Sequence, residues 1–206
     1  MKEYPTISKD VQTLPIFAFN KLDGSNVRAE WNCKRSFYKF GKRHGLIDDP
    51  NPILKKAPGL IMEGVADRLD RVFRSRKWQE VVAFFEFHGP RSAFGLHEPD
   101  DIHIVNLIDI SVHRKGILTP DLFLDLMQEA GITSHAALLF QGIPNETFRQ
   151  QVKAGTLSGM TFEGVVCKGA LESPGMPLMF KIKSDAWIEK LRSYCKGNEA
   201  LFNQLL

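Results

Sequence analysis

The sequence predicts an α+β domain in which mainly antiparallel strands are flanked by helices. Short apolar or alternating segments recur along the chain, and turn-forming Gly, Pro, Asn and Asp residues separate several neighbouring pairs. Between these segments lie stretches whose apolar residues recur at helical spacing. With 206 residues the chain is long enough to bury a large core, so we expect residues 1–206 to form a single domain.

Residues 21–26, with the sequence Lys-Leu-Asp-Gly-Ser-Asn, follow a buried strand that is predicted for residues 15–19. Asp23-Gly24 is a turn signal, and the alternation of residues 27–31 predicts the next strand. Lys21 is therefore expected at a strand end, with a carboxylate two residues away. Such a lysine is a candidate nucleophile, but the same pattern is also typical of an ordinary polar hairpin.

A basic cluster ends the next predicted strand. Residues 36–41 are predicted to pair with the strand before them, which brings Arg43 to the far end of the hairpin. This cluster is either a solvated loop or an anion contact. The following residues, 48–58, contain three prolines and little periodicity, which predicts a loop.

Residues 59–77 have apolar side chains at three- and four-residue steps, which predicts an amphipathic helix. Several arginines lie near its end, where cations suit the helix dipole. Arg68 and Arg71 would belong either to a solvated face or to a face that contacts nucleic-acid phosphates.

Three predicted strands each carry one acid in an apolar setting. A lone acid among large apolar side chains is costly unless it has a partner or a ligand, which makes Glu86 a candidate site residue, and Asp109 repeats this pattern. An exposed position on an edge strand is the simpler alternative. The strands and their acids are residues 81–87 with Glu86, residues 102–112 with Asp109, and residues 162–169 with Glu163.

The last predicted strand, residues 178–183, places Lys181 and Lys183 on one face. Two like charges side by side repel each other, so a bound anion gives a reason for the pair. Helices complete the predicted fold. They cover residues 120–130, 145–154 and 184–194, with a last helical stretch after Gly197.

Composition excludes several classes of function. The formal net charge of +3 is too small to indicate a nucleic-acid partner by itself. The three cysteines are scattered and show no Cys-x-x-Cys spacing, so neither a zinc site nor a disulfide framework is expected, and a cytoplasmic location fits. No apolar run approaches the length of a membrane span, so we expect no membrane partner.

Taken in order, these motifs resemble those of the nucleotidyltransferase superfamily of ATP-dependent ligases and mRNA capping enzymes, most closely the RNA ligase 2 type. The resemblance covers residues from about 15 to 190. Each motif alone is weak, whereas the ordered set is specific. The matching segments are residues 21–26 (motif I), 40–47 (motif Ia), 85–90 (motif III), 107–110 (motif IIIa), 163–166 (motif IV) and 181–183 (motif V).

The resemblance implies two twisted, mainly antiparallel sheets that enclose a nucleotide cleft. It also implies that Lys21 reacts with ATP and carries AMP covalently, with Lys181 and Lys183 as further catalytic residues. Nearby cations lower the pKa of a lysine, so these two lysines and Mg²⁺ are expected to help Lys21 lose its proton. By the same resemblance, the catalytic acids Asp23 and Glu163 orient hydrated Mg²⁺.

The resemblance also assigns the remaining site residues. Glu86 would accept a hydrogen bond from a ribose hydroxyl, while Asn26 and Arg43 match residues that steer the nucleic-acid end and the AMP phosphate. The nucleotide-binding residues that the resemblance implies are Asn20, Lys21, Gly24, Asn26, Arg43, Glu86, Ile108, Val166, Lys181 and Lys183.

The chain departs from the family pattern in three places. Asn20 stands where the family often has a glutamate, and Ile108 stands where an aromatic residue commonly stacks on the base. About two dozen residues follow motif V, so neither the OB domain of DNA ligases and capping enzymes nor the helical domain of RNA ligase 2 is expected. A DNA ligase is therefore disfavoured.

The expected function is ATP-dependent RNA ligation, in which a 5′-phosphate and a 3′-hydroxyl RNA end are joined, as in RNA repair. An accessory protein that replaces the missing C-terminal domain is a possible partner. Two alternatives stay open: a ligase that acts on DNA or hybrid nicks, and an RNA-end-binding module with residual AMP chemistry.

Overall fold

Two antiparallel sheets face each other in the computed structural model, which describes residues 2–47, 53–90 and 101–206. The small sheet has four strands in the order β7-β1-β8-β9, and the large sheet has five in the order β3-β2-β4-β5-β6. All neighbouring strands within both sheets are antiparallel. The predicted α+β class with two mainly antiparallel sheets and flanking helices is thus confirmed.

The elements follow one another along the chain. The strands are β1 (Ile16–Asn20), β2 (Ser25–Asn32), β3 (Ser36–Lys42), β4 (Glu80–His88), β5 (Ile104–Val112), β6 (Gly116–Ile117), β7 (Leu138–Gly142), β8 (Gly164–Ser173) and β9 (Met176–Lys183). The helices are α1 (Lys56–Ile61), α2 (Asp67–Ser75), α3 (Pro120–Ala130), α4 (Glu146–Ala154), α5 (Asp185–Cys195) and α6 (Glu199–Leu205). A π-helical turn, Met62–Ala66, joins α1 to α2.

Each sheet buries its outer face under helices, because side chains alternate between the two faces of a strand. The outer face of the small sheet packs on α4, with Ala18, Cys167 and Phe180 fully buried against Phe148. The large sheet packs its own outer face on α1, α2 and α3. The inner faces of the two sheets therefore face each other and carry the polar residues of the strands.

Most of the predicted elements occur within a few residues of their predicted bounds. Asn145 caps α4 through a hydrogen bond that its side chain accepts from the N–H of Phe148, and Gly155 ends this helix in the left-handed region at φ 73°. Gly131 ends α3 in the same way, at φ 63°. Local sequence signals suffice at these positions, because caps depend only on neighbouring residues.

Two predictions for the fold are incomplete or wrong. The loop predicted for residues 48–58 ends early, because α1 starts at Lys56 and Pro58 lies in its first turn, where no helical N–H partner is needed. Residues 48–52 lie outside the described part of the chain. Strand β7 was not predicted, since it is an edge strand whose residues are all exposed or half-exposed and show no alternation.

A buried ion pair joins the inner faces of the two sheets. Lys168 of β8 donates to Asp109 of β5, with 2.8 Å between Nζ and Oδ2, and also to the main-chain oxygen of Ile108 at 2.7 Å. Asp109 is 1% exposed and Lys168 is 3% exposed. Tyr4 donates its hydroxyl to the same Asp109 oxygen, and its ring packs on Phe84 with 5.0 Å between ring centroids.

We expect Asp109→Asn to lower the free energy of unfolding by about 3–5 kcal/mol, because it leaves the Lys168 ammonium buried without a counter-charge. Urea unfolding measures this difference. Adding Lys168→Met should restore much of the loss, since the double variant buries no unpaired charge.

The matched control is Glu129→Gln, which breaks a surface pair. Glu129 lies 2.5 Å from Arg76, and both side chains are substantially exposed. We expect a change below about 1 kcal/mol for this variant. Equal losses for Asp109→Asn and Glu129→Gln would show that the buried pair does not hold the sheets together.

Candidate active site

A cleft of about 750 Å³ lies between the inner faces of the two sheets. This volume is typical of a site for a small ligand such as a nucleotide. Its charged lining comes from both sheets and from the segments that connect them. The predicted residues that line it are Asn20, Lys21, Asp23, Gly24, Asn26, Arg43, Glu86, Ile108, Glu163, Val166, Lys181 and Lys183.

Lys21 lies at the crossing from one sheet to the other. It follows β1 of the small sheet, and β2 of the large sheet begins four residues later, so β1 and β2 do not form a hairpin. The N–H of Lys21 donates to the main-chain oxygen of Gly164 at 2.9 Å, which fixes the start of the crossing segment. The alternative interpretation as an ordinary polar hairpin is therefore wrong.

Strand topology brings Lys21, Glu163 and Lys183 together. Antiparallel pairing places the end of β1, the start of β8 and the end of β9 at the same end of the small sheet. Asn20 lies opposite Val165, and Gly164 lies opposite Lys183. Glu163 comes immediately before β8. Its Oε1 atom lies 2.9 Å from the Lys21 ammonium and 3.1 Å from that of Lys183.

Glycine is required directly after Glu163. Gly164 has φ +134°, and a Cβ atom there would lie 2.2 Å from the main-chain oxygen of Ile182. The close approach of β8 and β9 at this point keeps Glu163 beside Lys183. The main-chain oxygen of Glu163 also accepts from the N–H of Ser184 at 3.0 Å, so the backbone is held on both sides of the acid.

Lys181 and Lys183 project from β9 into the cleft, as the alternation of the strand predicts, while Phe180 and Ile182 enter the outer core. Burial lowers the pKa of each ammonium to about 8, and the other lysines add to the effect. Lys181 also donates to the main-chain oxygen of Leu206 at 2.8 Å. Two partly desolvated cations on one strand form a site for an anion.

Asp23 and Glu86 are acids with raised pKa values. Burial, followed by the nearby Glu163 charge, raises the pKa of Asp23 to about 6. Burial raises the pKa of Glu86 to about 8, although Lys21 and the N–H of Gly24 act to lower it. The protonated form of Glu86, which burial favours, can donate as well as accept a hydrogen bond.

Gly24 permits the turn to pass close to the large sheet. A Cβ atom on Gly24 would lie 2.4 Å from the main-chain oxygen of Phe87 and 2.8 Å from Cβ of His88. Any larger residue would push the crossing segment away from β4. The N–H of Gly24 would then lose the Glu86 carboxylate as its acceptor.

The pKa of Lys21 is raised by the acids around it, and the lowering of this pKa by Lys181, Lys183 and Mg²⁺ together stays a prediction. Burial acts to lower this pKa, but the carboxylates of Glu163, Glu86 and Asp23 outweigh burial. Lys181 and Lys183 do not offset three nearby acids. Lys21 is thus a protonated ammonium in this arrangement and needs a change in its surroundings before it can act as a nucleophile.

Phe19, Ile108 and Val166 are among the apolar residues that line the cleft. Asn20, at the same end, uses its side-chain oxygen to accept from the N–H and the hydroxyl of Thr161, both at 3.0 Å. That oxygen thus fixes the Thr161 loop.

The predicted nucleic-acid contacts divide into two groups. Asn26 and Arg43 line the cleft, and Oδ1 of Asn26 is buried without a hydrogen-bond partner among the described residues. Arg68 and Arg71 are absent from the described lining of the cleft. Arg68 donates to the main-chain oxygens of Gly131 and Gly64, at 2.7 and 2.6 Å.

Asp23 and Glu163 suit a hydrated divalent cation. Oδ2 of Asp23 is buried and has no hydrogen-bond partner among the residues described, which a cation or its water would satisfy. In residues 2–47, 53–90 and 101–206 there is no cluster of three or more His, Cys, Asp or Glu side chains that could hold a metal. Mg²⁺ commonly uses one or two carboxylates together with substrate phosphates, so this set fits it.

Several residues at the cleft were not predicted from the sequence. Tyr4, Lys168 and Trp187 all line it. Lys168 had a detectable signal, since it is a lone charge two residues after Val166 on the same face of a strand. No local sequence pattern indicates Tyr4 or Trp187 as a site residue, because their positions depend on long-range packing.

The fold is similar to that of the RNA ligase of Naegleria gruberi. A variant with ATP and manganese matches with a TM-score of 0.61 at 17% identity, over 91% of this chain and 59% of the ligase chain. An unliganded variant gives 0.62 at 17% identity, over 93% and 60%. The ligase with pyrophosphate gives 0.60 at 19% identity, over 93% and 60%.

The predicted resemblance is confirmed at the level of the fold, which is the nucleotidyltransferase fold of these RNA ligases. The chain spans about 60% of the length of the ligase structures that it matches. No family model matches the chain, and no curated protein matches it. Within the described residues, no helix combines the length and apolar character that crossing a membrane requires.

We expect the free energy of unfolding of Glu86→Gln to rise relative to the wild type between about pH 5 and pH 8. The pKa of Glu86 is about 8 in the folded protein and 4.5 for an ordinary glutamate, so the folded state holds the proton more tightly. The stability that comes from this group is fully present below pH 4.5 and is lost as the pH rises through 8. Glutamine has no such loss.

Urea unfolding at several pH values measures the difference. The exposed Glu172, changed to Gln, is the matched control. A flat difference for Glu86→Gln would mean that its carboxyl is not desolvated in the folded protein.

Proposed function

We propose that this chain is an ATP-dependent RNA ligase that works through a covalent AMP on Lys21. The observation that carries the proposal is the contact of Lys21 with Glu163 at 2.9 Å in the lining of a nucleotide-sized cleft. The ammonium of Lys183 contacts the same Glu163 oxygen. The fold shared with RNA ligase structures that contain ATP, AMP or pyrophosphate supports the assignment. We take residues 1–206 as one adenylyltransferase domain.

In the first step, Nζ of Lys21 attacks the α-phosphorus of ATP. A bond forms between nitrogen and phosphorus, the bond to the bridging oxygen breaks, and pyrophosphate leaves. Lys181 and Lys183 neutralise the charge that develops on the phosphate oxygens. The proton of the attacking ammonium must be lost first, because only the neutral amine has a free electron pair.

Divalent cation binding gives a route to that deprotonation. The acids that raise the pKa of Lys21 include Asp23 and Glu163, which are also the residues that would hold Mg²⁺. A cation held by these carboxylates would offset their negative charge, which would lower the pKa of Lys21. The Naegleria ligase variants with ATP or AMP contain manganese, which supports a divalent requirement, and we expect Mg²⁺ to serve here.

In the later steps, AMP passes from Lys21 to the 5′-phosphate of an RNA end, and a 3′-hydroxyl then displaces AMP to form the phosphodiester. Asn26 and Arg43 lie at the cleft and are the residues we assign to this end. A ligase that acts on DNA or hybrid nicks uses the same chemistry, and an accessory protein that grips the duplex is compatible with it.

In the presence of Mg²⁺, ATP labelled at the α-phosphate should place covalent label on the protein that survives alkali but is released by hot acid, as expected of a phosphoramidate, and ATP labelled at the γ-phosphate should place none. Lys21→Ala should abolish labelling. Lys21→Arg should also abolish it, because a guanidinium stays protonated and cannot attack phosphorus. Gel autoradiography after denaturation in sodium dodecyl sulfate at neutral or alkaline pH measures all of these reactions.

The matched control is Lys39→Ala, which removes an exposed lysine whose ammonium lies 3.8 Å from Glu30. This variant should label as the wild type does. Full label on Lys21→Ala would refute the assignment of the nucleophile, and GTP labelling stronger than ATP labelling would favour a capping-like activity.

Arg43→Ala should separate joining from adenylylation. We expect it to retain most Lys21 labelling but to lose the joining of a pre-adenylylated RNA 5′-end to a 3′-hydroxyl, because Arg43 is exposed at the cleft, beyond the residues that hold Lys21. Single-turnover joining assays at several salt concentrations measure this. The logarithmic salt dependence should also weaken by about 0.7 for one lost phosphate contact on single-stranded RNA.

Arg71→Ala is the comparison for the arginines of α2. An unchanged rate of joining assigns these arginines to the solvated surface, whereas a loss like that of Arg43→Ala assigns them to RNA binding. Equal loss of labelling and joining in Arg43→Ala would instead place Arg43 in the nucleotide step. Robust labelling of the wild type without any joining would favour the RNA-end-binding alternative.

A further inference from the structure

The start of α5 is hydrogen-bonded to the segment that carries Glu163. The hydroxyl of Ser184 accepts from the N–H of Trp187 at 3.1 Å and donates to the main-chain oxygen of Phe162 at 2.6 Å. The N–H of Ser184 donates to the main-chain oxygen of Glu163 at 3.0 Å. Serine is thus both the cap of α5 and the link between this helix and the acid.

Trp187, in the first turn of α5, lies directly against Lys183. The Nζ atom of Lys183 is 3.2 Å from the centroid of the Trp187 ring, and Trp187 is 2% exposed and lines the cleft. The same Nζ atom is 3.1 Å from Glu163, whose carboxylate is 2.9 Å from Lys21. The indole face, one ammonium, one carboxylate and a second ammonium therefore form a continuous series of contacts.

We propose that Trp187 is a positioning residue for the adenylylation step, which holds the Lys183 ammonium in place through a cation–π contact. The inference rests on the proposed function. Indole is the ring that attracts a cation most strongly, and the attraction grows when the cation is desolvated, as it is here with the Lys183 side chain 7% exposed. A lysine has four rotatable bonds, so a fixed partner limits the positions of its charge.

The contact has a consequence for the reaction. Lys183 must meet the charge that develops on the transferred phosphate, so its exact position affects the transition state more than the bound nucleotide. Removing the ring should therefore slow the formation of the Lys21 adduct, while the KM for ATP changes little.

Trp187 also packs in a small core with Leu191, Cys195 and Phe202, so its loss must be distinguished from a loss of stability. Trp187→Leu removes the aromatic face but keeps an apolar side chain, and Trp187→Phe keeps an aromatic face. Trp78→Leu is the matched control. Trp78 is also buried, and its ring lies 5.6 Å from the guanidinium of Arg76, away from the cleft.

Single-turnover labelling of Lys21 with saturating ATP should be about ten-fold slower in Trp187→Leu than in the wild type. Trp187→Phe should recover most of the rate, and Trp78→Leu should label at the wild-type rate at a temperature where all variants are folded. A wild-type rate in Trp187→Leu overturns the inference. Equal slowing in Trp187→Phe and Trp187→Leu, or in Trp78→Leu, does so as well.

A second measurement does not depend on activity. In wild-type protein labelled with ¹³C-lysine, the ε-methylene protons of Lys183 should be shifted upfield by the ring current of Trp187, and the shift should vanish in Trp187→Leu. Lys183→Arg identifies the resonance. Failure of the wild type to label Lys21 would refute the proposed ligase, whereas an unshifted Lys183 resonance in the wild type would refute the Trp187 contact.

Discussion

The buried ion pair between Asp109 and Lys168 is the interaction on which the arrangement of the two sheets depends. Each sheet has an apolar core against its helices. Between the inner faces, Phe19 of β1 joins the core of the large sheet, and a polar gap lies beside it. The 2.8 Å contact between Asp109 and Lys168 crosses that gap, and Tyr4 adds a third member on the same oxygen. Tyr4 and Lys168 of this cluster also line the cleft. A buried pair of this kind contributes little net stability but is costly to break. It therefore favours the arrangement of the two sheets in which Asp109 and Lys168 meet.

Charge balance constrains the open part of the cleft in a different way. Glu163 lies between two lysines, and it shares the crossing region with Asp23 and Glu86, whose raised pKa values reflect burial. The acids raise the pKa of Lys21 and so favour its protonated form. Burial lowers the pKa of Lys181 and of Lys183 to about 8. Such a site is complemented by two partners of opposite sign, a polyphosphate on the lysines and a divalent cation on the carboxylates. A nucleotide with its metal supplies both at once.

Much of the fold and several site residues could be predicted from sequence, because the signals are local. Alternation along β9 predicts that Lys181 and Lys183 share a face, and the caps at Asn145 and Gly155 predict the ends of α4. The failures are non-local. Edge strand β7 has no buried side chain, so its sequence does not alternate between apolar and polar residues. The raised pKa of Lys21 depends mainly on acids that are far away in sequence. Nothing near Arg68 in sequence indicates that its guanidinium binds the main-chain oxygen of Gly131.

The candidate site is assembled by strand order rather than by sequence spacing. Lys21 follows β1, Glu163 precedes β8, and Lys183 ends β9, and these three strands are neighbours in the small sheet. Because each pair is antiparallel, the end of β1, the start of β8 and the end of β9 must lie at the same end of the sheet. The interval between Lys21 and Glu163 contains the large sheet, α1 to α4 and β7, whereas β8 and β9 separate Glu163 from Lys183. At this end of the sheet, Gly164 allows β8 and β9 to approach closely, and the N–H of Ser184 links α5 to the main-chain oxygen of Glu163.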